Sequence, residues 1–288
     1  KRLSILPKEL IREQSRRYVN FKKMIRLTTP AMAADDIRTL LKRGPVELKK
    51  QWRNRYETEE NRYARWLEKH GECEPAALSW QPLISIVVPL YNTPEPFLKA
   101  LIDSITAQTY GKFELCLADG STDEKTAAFV EKQYGADKRI RLKRLAVNGG
   151  ISENTNEAIR MASGEFLLFS DHDDFLEPNA LFEMVQALNQ DPTLDLIYTD
   201  EDLSDEKGEH YFSPRMKPDF NPDFLRCINY ICHLTMVRKS LAEEVGLLRK
   251  ECDGAQDYDF LLRCIEKTDR VFHIPKVLYH WRASETST

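Results

Sequence analysis

With 288 residues, 42% of them hydrophobic and 10% aromatic, the chain has material for one large α/β domain with an appendage, or for two small domains. No apolar run is long enough to span a bilayer and no signal peptide opens the sequence; six cysteines scattered without CxxC spacing argue against a disulfide framework and a structural zinc site, and point to a reducing, cytoplasmic setting. The net charge of −4 hides an asymmetry: residues 1–80 carry 19 Lys and Arg against 11 Asp and Glu, whereas residues 81–288 carry 23 against 35.

Residues 1–80 are predicted to form a basic helical extension. Leu40, Leu41, Val46, Leu48, Trp52, Tyr56, Tyr63, Trp66 and Leu67 recur at the spacing of amphipathic helices, with breaks near Pro30 and Gly44-Pro45. Packing on a neighbouring domain is the plainer use of such helices. Lys and Arg clusters at 16–26 and 49–55 suggest a further one, a face for anionic lipid at the inner side of the cell membrane or for a partner protein. Nucleic acid is not an expected partner, because no recognised nucleic-acid module accompanies the charge. Lys1 and Thr288 carry no start or stop signal, so the chain reads as a segment of a longer, multi-domain polypeptide.

Residues 81–288 have another texture. Leu83 to Val88 is a short apolar, β-branched run that predicts a buried strand, and helix Phe97 to Gln108 follows. The pattern continues with strand Phe113 to Ala118, helix Lys125 to Tyr134, strand Ile140 to Leu145 and helix Ser152 to Ala162. Strand Glu165 to Ser170, helix Pro178 to Asn189 and strand Leu194 to Thr199 come next, then a helix Asp257 to Ile265 and a strand around His273. Such alternation predicts an α/β fold with a mostly parallel sheet flanked by helices.

Ligands of these sheets bind beyond the carboxyl ends of the strands. The residues there are Pro89-Leu90-Tyr91-Asn92, Asp119-Gly120-Ser121-Thr122-Asp123, Asn148-Gly149-Gly150 and Asp171-His172-Asp173-Asp174. Clustered carboxylates at one edge repel one another without a cation, and hard oxygen ligands in this number suit Mg²⁺ or Mn²⁺ bound together with phosphate oxygens. A solvated acidic turn ahead of the helix is the other reading of Asp171, Asp173 and Asp174 taken alone. A calcium-binding EF-hand loop needs Gly where Leu176 stands, and a haloacid-dehalogenase-type phosphohydrolase wants Thr or Val where Phe175 stands. No GxGxxG follows any strand, which disfavours a dinucleotide fold.

In order and spacing, Val87-Val88-Pro89-Leu90-Tyr91-Asn92, Ala118-Asp119-Gly120-Ser121-Thr122-Asp123 and Ser170-Asp171-His172-Asp173-Asp174 resemble the family 2 glycosyltransferases of the GT-A fold. Tyr198-Thr199-Asp200-Glu201-Asp202, Gln256-Asp257-Tyr258-Asp259 and Tyr279-His280-Trp281-Arg282 look most like the bacterial O-antigen and surface-polysaccharide members, many described as rhamnosyltransferases. The likeness runs from about Pro82 to Arg282. It implies sugar transfer from a UDP- or dTDP-linked donor to a glycan acceptor, expected to be lipid-linked, with Mn²⁺ or Mg²⁺ as cofactor. It further implies that Pro89, Tyr91, Asn92, Asp119, Asn156, Asp171 and His172 line the donor nucleotide, Asp119 at the base and Asp171 by the ribose. Asp173 would bind the metal and His280, after the last strand, would be a further metal or diphosphate contact. Asp257 matches the catalytic base of inverting members, with capping of the helix it begins as its plainer role. Chemistry agrees, since an attacking hydroxyl must lose its proton and a carboxylate in the first turn of a helix stays ionised. Asp174, Asp200, Glu201, His233, Gln256 and Trp281 remain candidates for acceptor or donor-sugar contacts, with packing or a solvated turn as their plainer roles. The chain departs from the family pattern at Ala118, usually a second Asp, and at Thr155, where many members have Arg. A non-catalytic glycan- or nucleotide-binding module on the same fold is the competing class, and Asp257 speaks against it because a binder needs no base.

Overall fold

Strand β1 (Ile84–Leu90) is buried along its length except at Pro89. Its side chains alternate: Ile84, Ile86, Val88 and Leu90 enter one core cluster, while Val87 enters another on the opposite face. A strand with apolar neighbours on both faces has no polar side to show, which is why this segment reads as an apolar run interrupted only by Ser85, whose hydroxyl donates to Glu114 at 2.6 Å. The computed structural model from which these features come describes residues 28–56, 59–70 and 77–283.

Eight further strands join β1: β2 (Phe113–Asp119), β3 (Ile140–Arg144), β4 (Phe166–Phe169), β5 (Phe175–Leu176), β6 (Leu196–Ser204), β7 (Tyr211–Arg215), β8 (Thr235–Arg238) and β9 (Val271–Arg282). Their order in the sheet is β3-β2-β1-β4-β8-β6-β9-β5, with β7 paired to β6. The block β3-β2-β1-β4 is parallel, and β8 runs antiparallel to both β4 and β6. Because β8 reverses the direction twice over, β6 and its parallel neighbour β9 point the same way as β1. The sheet is therefore mostly parallel, as the alternation of elements predicts. Register brings Leu90 beside Asp119 and Asp119 beside Arg144, so the residues that follow the first three strands share one edge.

Helices cover both faces. Leu98, Leu101, Ile102 and Ile105 of α3 (Glu95–Thr106) and Leu181, Met184, Val185 and Leu188 of α6 (Ala180–Gln190) belong to the cluster on one side. On the other lie Ala158 and Ile159 of α5 (Ile151–Met161), Leu241 and Ala242 of α8 (Lys239–Glu244), and Phe260, Leu261 and Cys264 of α9 (Gln256–Ile265). Helix α4 (Lys125–Tyr134) follows β2, and α7 (Pro222–Cys227) precedes β8.

The chain divides into two units, Lys1–His70 and Gly71–Thr288. Within the first, α1 (Pro30–Tyr56) leaves helical conformation at Gly44 (φ 83°), ahead of Pro45, and α2 (Glu59–His70) follows. Arg55 Nη1 lies 2.7 Å from Asp36 Oδ1. A straight helix would hold residues this far apart in sequence well beyond contact, so the kink folds the two halves of α1 back on each other. The basic cluster at 16–26 lies outside the described residues. Among those described, no helix is long and apolar enough to cross a membrane.

Candidate active site

The first three strand ends meet around Asn92. Its backbone sits in the left-handed region (φ 49°), which a short polar side chain tolerates. Its Oδ1 accepts from Thr122 N and Thr122 Oγ1, each at 3.0 Å, and its N–H donates to Ser121 Oγ at 2.8 Å. Tyr91 beside it is 45% exposed. Asp119 is fully buried; it accepts from Ser121 N at 2.9 Å and faces Arg144 Nη1 at 3.4 Å. Contact between Asp119 and a base would require the 119–123 turn to open. Asn156 sits elsewhere. Its Nδ2 donates to Leu248 O at 2.9 Å and its Oδ1 accepts from Leu248 N at 3.1 Å. Both halves of that amide are spent on tying α5 to the segment ahead of α9, so the expected base or phosphate contact gives way to a brace.

The acidic turn lies between β4 and β5. Asp174 is buried, and its two oxygens accept from Tyr279 Oη at 2.7 Å and Arg282 N at 2.8 Å. Burial, with the charges of Asp171 and Asp173 behind it, pushes its carboxyl up to about 7. Asp171 is 3.2 Å from His233 Nε2. Burial alone would raise the Asp171 carboxyl, but the charge and hydrogen bond of His233 outweigh it and hold the group below the usual carboxylate range. The reciprocal effect raises His233 to about 9 against the opposing cost of burying its charge. His233 also stacks on Tyr279, centroids 4.8 Å apart. The Asp173 main-chain carbonyl accepts from Arg282 Nε at 2.6 Å, while its carboxylate has no hydrogen bond or ion pair among the described residues. His172 Nδ1 is buried without a hydrogen-bond partner.

Asp257 lies in the first turn of α9 and meets the 229–233 turn. Asn229 Nδ2 donates to Asp257 Oδ2 at 2.7 Å, and Cys232 Sγ is 3.7 Å from the same oxygen. The next residue along, His233, is the partner of Asp171. Five residues therefore connect the two carboxylates. Gln256 Oε1 accepts from Gly254 N at 2.8 Å, shaping the entry to α9. Trp281 lies under the Arg215 guanidinium, 4.7 Å from the ring centroid.

Three expected site residues belong behind this arrangement. Asp200 and Glu201 do not follow a strand; they lie inside β6 and are buried. Asp200 Oδ1 accepts from Lys217 N at 2.8 Å and is 2.8 Å from His273 Nε2, so His273, given no role from sequence, is a partner of that carboxylate. Glu201 accepts from Arg215 Nη1 (3.1 Å), Lys217 Nζ (2.9 Å) and His233 N (3.2 Å). Both carboxylates are committed to protein donors, which leaves them supporting the site rather than lining it. His280 likewise lies within β9, not after it. Its Nδ1 is 2.6 Å from Asp202 and its Nε2 3.0 Å from Glu177. With both ring nitrogens so engaged it offers no lone pair to a cation, and the expected metal contact becomes a buried ion triad.

The sequence profile of Glycosyl transferase family 2 matches residues 85–246, more than half of the chain. The chain belongs to glycosyltransferase family 2. It is 37% identical over 214 residues to the O-antigen biosynthesis protein RfbC of Myxococcus xanthus, covering 74% of this chain and 17% of that protein. The chain spans about a fifth of the length of RfbC and of two other long relatives, and 62%, 71% and 63% of three shorter glycosyltransferases that it also matches. Among solved structures, S. aureus TarS 1-349 in complex with UDP-GlcNAc aligns with a TM-score of 0.60 and 23% identity, covering 71% of this chain and 59% of that one. The mannosyltransferase PcManGT of Pyrobaculum calidifontis, in complex with GDP-Man and Mn²⁺, aligns with a TM-score of 0.56 and 20% identity, covering 78% and 64%. These likenesses show the GT-A fold.

In this family 2 chain several site residues escape a reading of the letters. Tyr279 and Arg282 hold the acidic turn, yet His280 and Trp281 between them draw the eye as chemistry-bearing residues. Lys217 and Asn229 touch the site from segments without a recognisable motif. Arg144 ends β3 in register with Asp119 and was findable, because a cation beyond a strand end next to a buried Asp predicts a pair.

Proposed function

We propose that the chain is an inverting glycosyltransferase that moves a sugar from a UDP- or dTDP-linked donor, rhamnose among the candidates, to a hydroxyl of a lipid-linked glycan acceptor in bacterial surface-polysaccharide synthesis. It works as one domain of a longer protein, in the cytoplasm at the inner face of the membrane. The observation that carries this reading is the short turn joining Asp171, on the donor side, to Asp257.

In the mechanism, Pro89, Tyr91 and Asn92 line the nucleotide together with Asp171 and His172. Asp257 takes the proton of the acceptor hydroxyl while that oxygen attacks the anomeric carbon. The bond from that carbon to the diphosphate breaks, its electron pair leaves with the diphosphate, and attack from the opposite face inverts the anomeric configuration. The unpartnered Asp173 carboxylate beside Asp171 fits a hard divalent cation. Among the described residues no group of three His, Cys, Asp or Glu side chains is arranged to hold a metal. Asp173, with Asp171 beside it, would be the residue to hold Mg²⁺ or Mn²⁺ together with oxygens of the diphosphate. When bound, such an ion neutralises charge on the leaving diphosphate.

The test is calorimetric titration of UDP, dTDP and GDP, each with and without Mn²⁺, into wild type and Asp173→Ala. Metal-dependent binding of one pyrimidine diphosphate, abolished in the variant, is expected. No binding of any nucleotide in either condition would turn the reading toward a glycan-binding module.

A further inference from the structure

We infer that Lys217 is a positioning residue for the transfer reaction: its buried ammonium holds the 229–233 turn in the shape that joins the Asp257 carboxylate to the Asp171–His233 pair. This deepens the reading of Asp257 as the base and rests on it.

Only 4% of the Lys217 side chain is exposed. Nζ donates to Ile231 O at 2.6 Å, to His233 O, and to Glu201 Oε2 at 2.9 Å. Its three donors are thereby matched to three acceptors. The two carbonyls flank Cys232, whose φ of 36° lies in the left-handed region. A residue other than glycine persists there only where its surroundings over-determine it. Here one cation draws in the carbonyl on either side. The same turn carries every contact that orients the base: Asn229 Nδ2 on Asp257 (2.7 Å), Asn229 Oδ1 accepting from Cys232 N (3.3 Å), and Cys232 Sγ near Asp257 (3.7 Å). Its last residue, His233, delivers Nε2 to Asp171 and its N–H to Glu201.

A buried lysine has a plainer use, which is to neutralise a buried carboxylate. Glu201 already has Arg215 on its other oxygen at 3.1 Å, and among the described residues Arg215 makes no hydrogen bond or ion pair with the turn. The distinctive contribution of Lys217 is therefore its grip on the carbonyls. Burial lowers the affinity of Lys217 for its proton, and the carboxylates of Glu201 and Asp200 oppose that.

The experiment uses the full chain and the sugar donor that the wild type turns over, following release of nucleoside diphosphate. Lys217→Met keeps the length of the side chain and removes the ammonium; Asn229→Ala removes the contact to Asp257. In Lys217→Met, kcat is expected to fall about a hundredfold, the cost of misplacing a reacting group by about an ångström. The donor KM and the nucleotide Kd should stay within about twofold, and the double variant should be no slower than Lys217→Met, because both changes act through one turn. Wild-type kcat in Lys217→Met, or losses that multiply in the double variant, overturns the inference. Should Lys217→Met lose its cooperative thermal transition, Lys217→Arg decides. Its planar fork keeps the charge but does not converge on the same three acceptors, so full activity in that variant also overturns the role. A wild-type chain that releases diphosphate from no sugar donor overturns both readings, whereas an active wild type beside an equally active Lys217 variant overturns only this one.

Discussion

His233 and His280 both sit between carboxylates, yet they work on different things. Both ring nitrogens of His280 are engaged by Asp202 and Glu177, so its charge serves the fold. Burial opposes that charge, but the hydrogen bonds and charges of the two carboxylates win and raise it to about 9. The folded state therefore holds the proton more tightly than the unfolded chain, whose imidazoles titrate near 6.5. The stabilisation is complete below that pH and is lost as pH climbs through about 9; at full strength it is on the order of 3 kcal/mol. Thermal unfolding between pH 6 and 10 should show Tm falling across this window, and His280→Gln should flatten the fall. An unchanged slope in the variant would remove His280 as the source. In the proposed mechanism Asp257 lies on the chemical side of the divide. Asp257→Asn keeps the contact from Asn229 but cannot take a proton, so kcat should drop by roughly 10²–10⁴-fold with nucleotide Kd unchanged; wild-type turnover would rule out the base role. Asp171, Asp173 and Asp257 stand out in the letters because each falls in a run of residues that resembles a family motif. Lys217 does not, since a single lysine between Met216 and Pro218 acquires its meaning only from Glu201 and Ile231, which the fold brings to it.

At the scale of elements, β1 to β4 and their helices were legible to within one or two residues, helix Lys125–Tyr134 to the residue. Long apolar runs and 3.6-residue periodicity are local signals, and a parallel block depends on little else. The strands β5, β7 and β8 left no such mark. Each has five residues or fewer, and an antiparallel strand inserted between β4 and β6 is chosen by partners far away in the chain. The same blindness misassigned Asp200, Glu201 and His280, which looked like loop residues because the ends of β6 and β9 extend further than their apolar stretches do. Asn156 belongs here too, since only the packing of α5 against the Leu248 segment spends its amide. Asn156→Ala leaves the Leu248 N–H and C=O unpaired and should cost about 1–3 kcal/mol in denaturant unfolding without altering nucleotide affinity. Weaker nucleotide binding at unchanged stability would restore it to the donor site.

For the molecule as a whole, composition separates the work before any element is drawn. The basic excess lies in residues 1–80 and the acidic excess beyond them, and all the site residues named above fall in the unit Gly71–Thr288. A chain of residues 71–288 should bind the same nucleotide as the full chain with equal affinity, and should lose whatever binding the full chain has to anionic lipid vesicles in sedimentation. Vesicle binding that survives the deletion would move any membrane contact onto the catalytic unit.

The family match ends at residue 246, but the proposed base is Asp257 and the acidic turn is held by Tyr279 and Arg282 of β9. β9 also occupies an interior place in the sheet, between β6 and β5. A ribosome that has released the whole recognisable family segment has thus made a sheet lacking an inner strand and an acidic turn lacking its two anchors. Synthesis and competence are then expected to be separated in time, the acidic turn taking its shape once the last strand enters between its neighbours. Chains cut short ahead of β9 by a premature stop or a protease are expected to be inert, and not to discharge activated sugar into water.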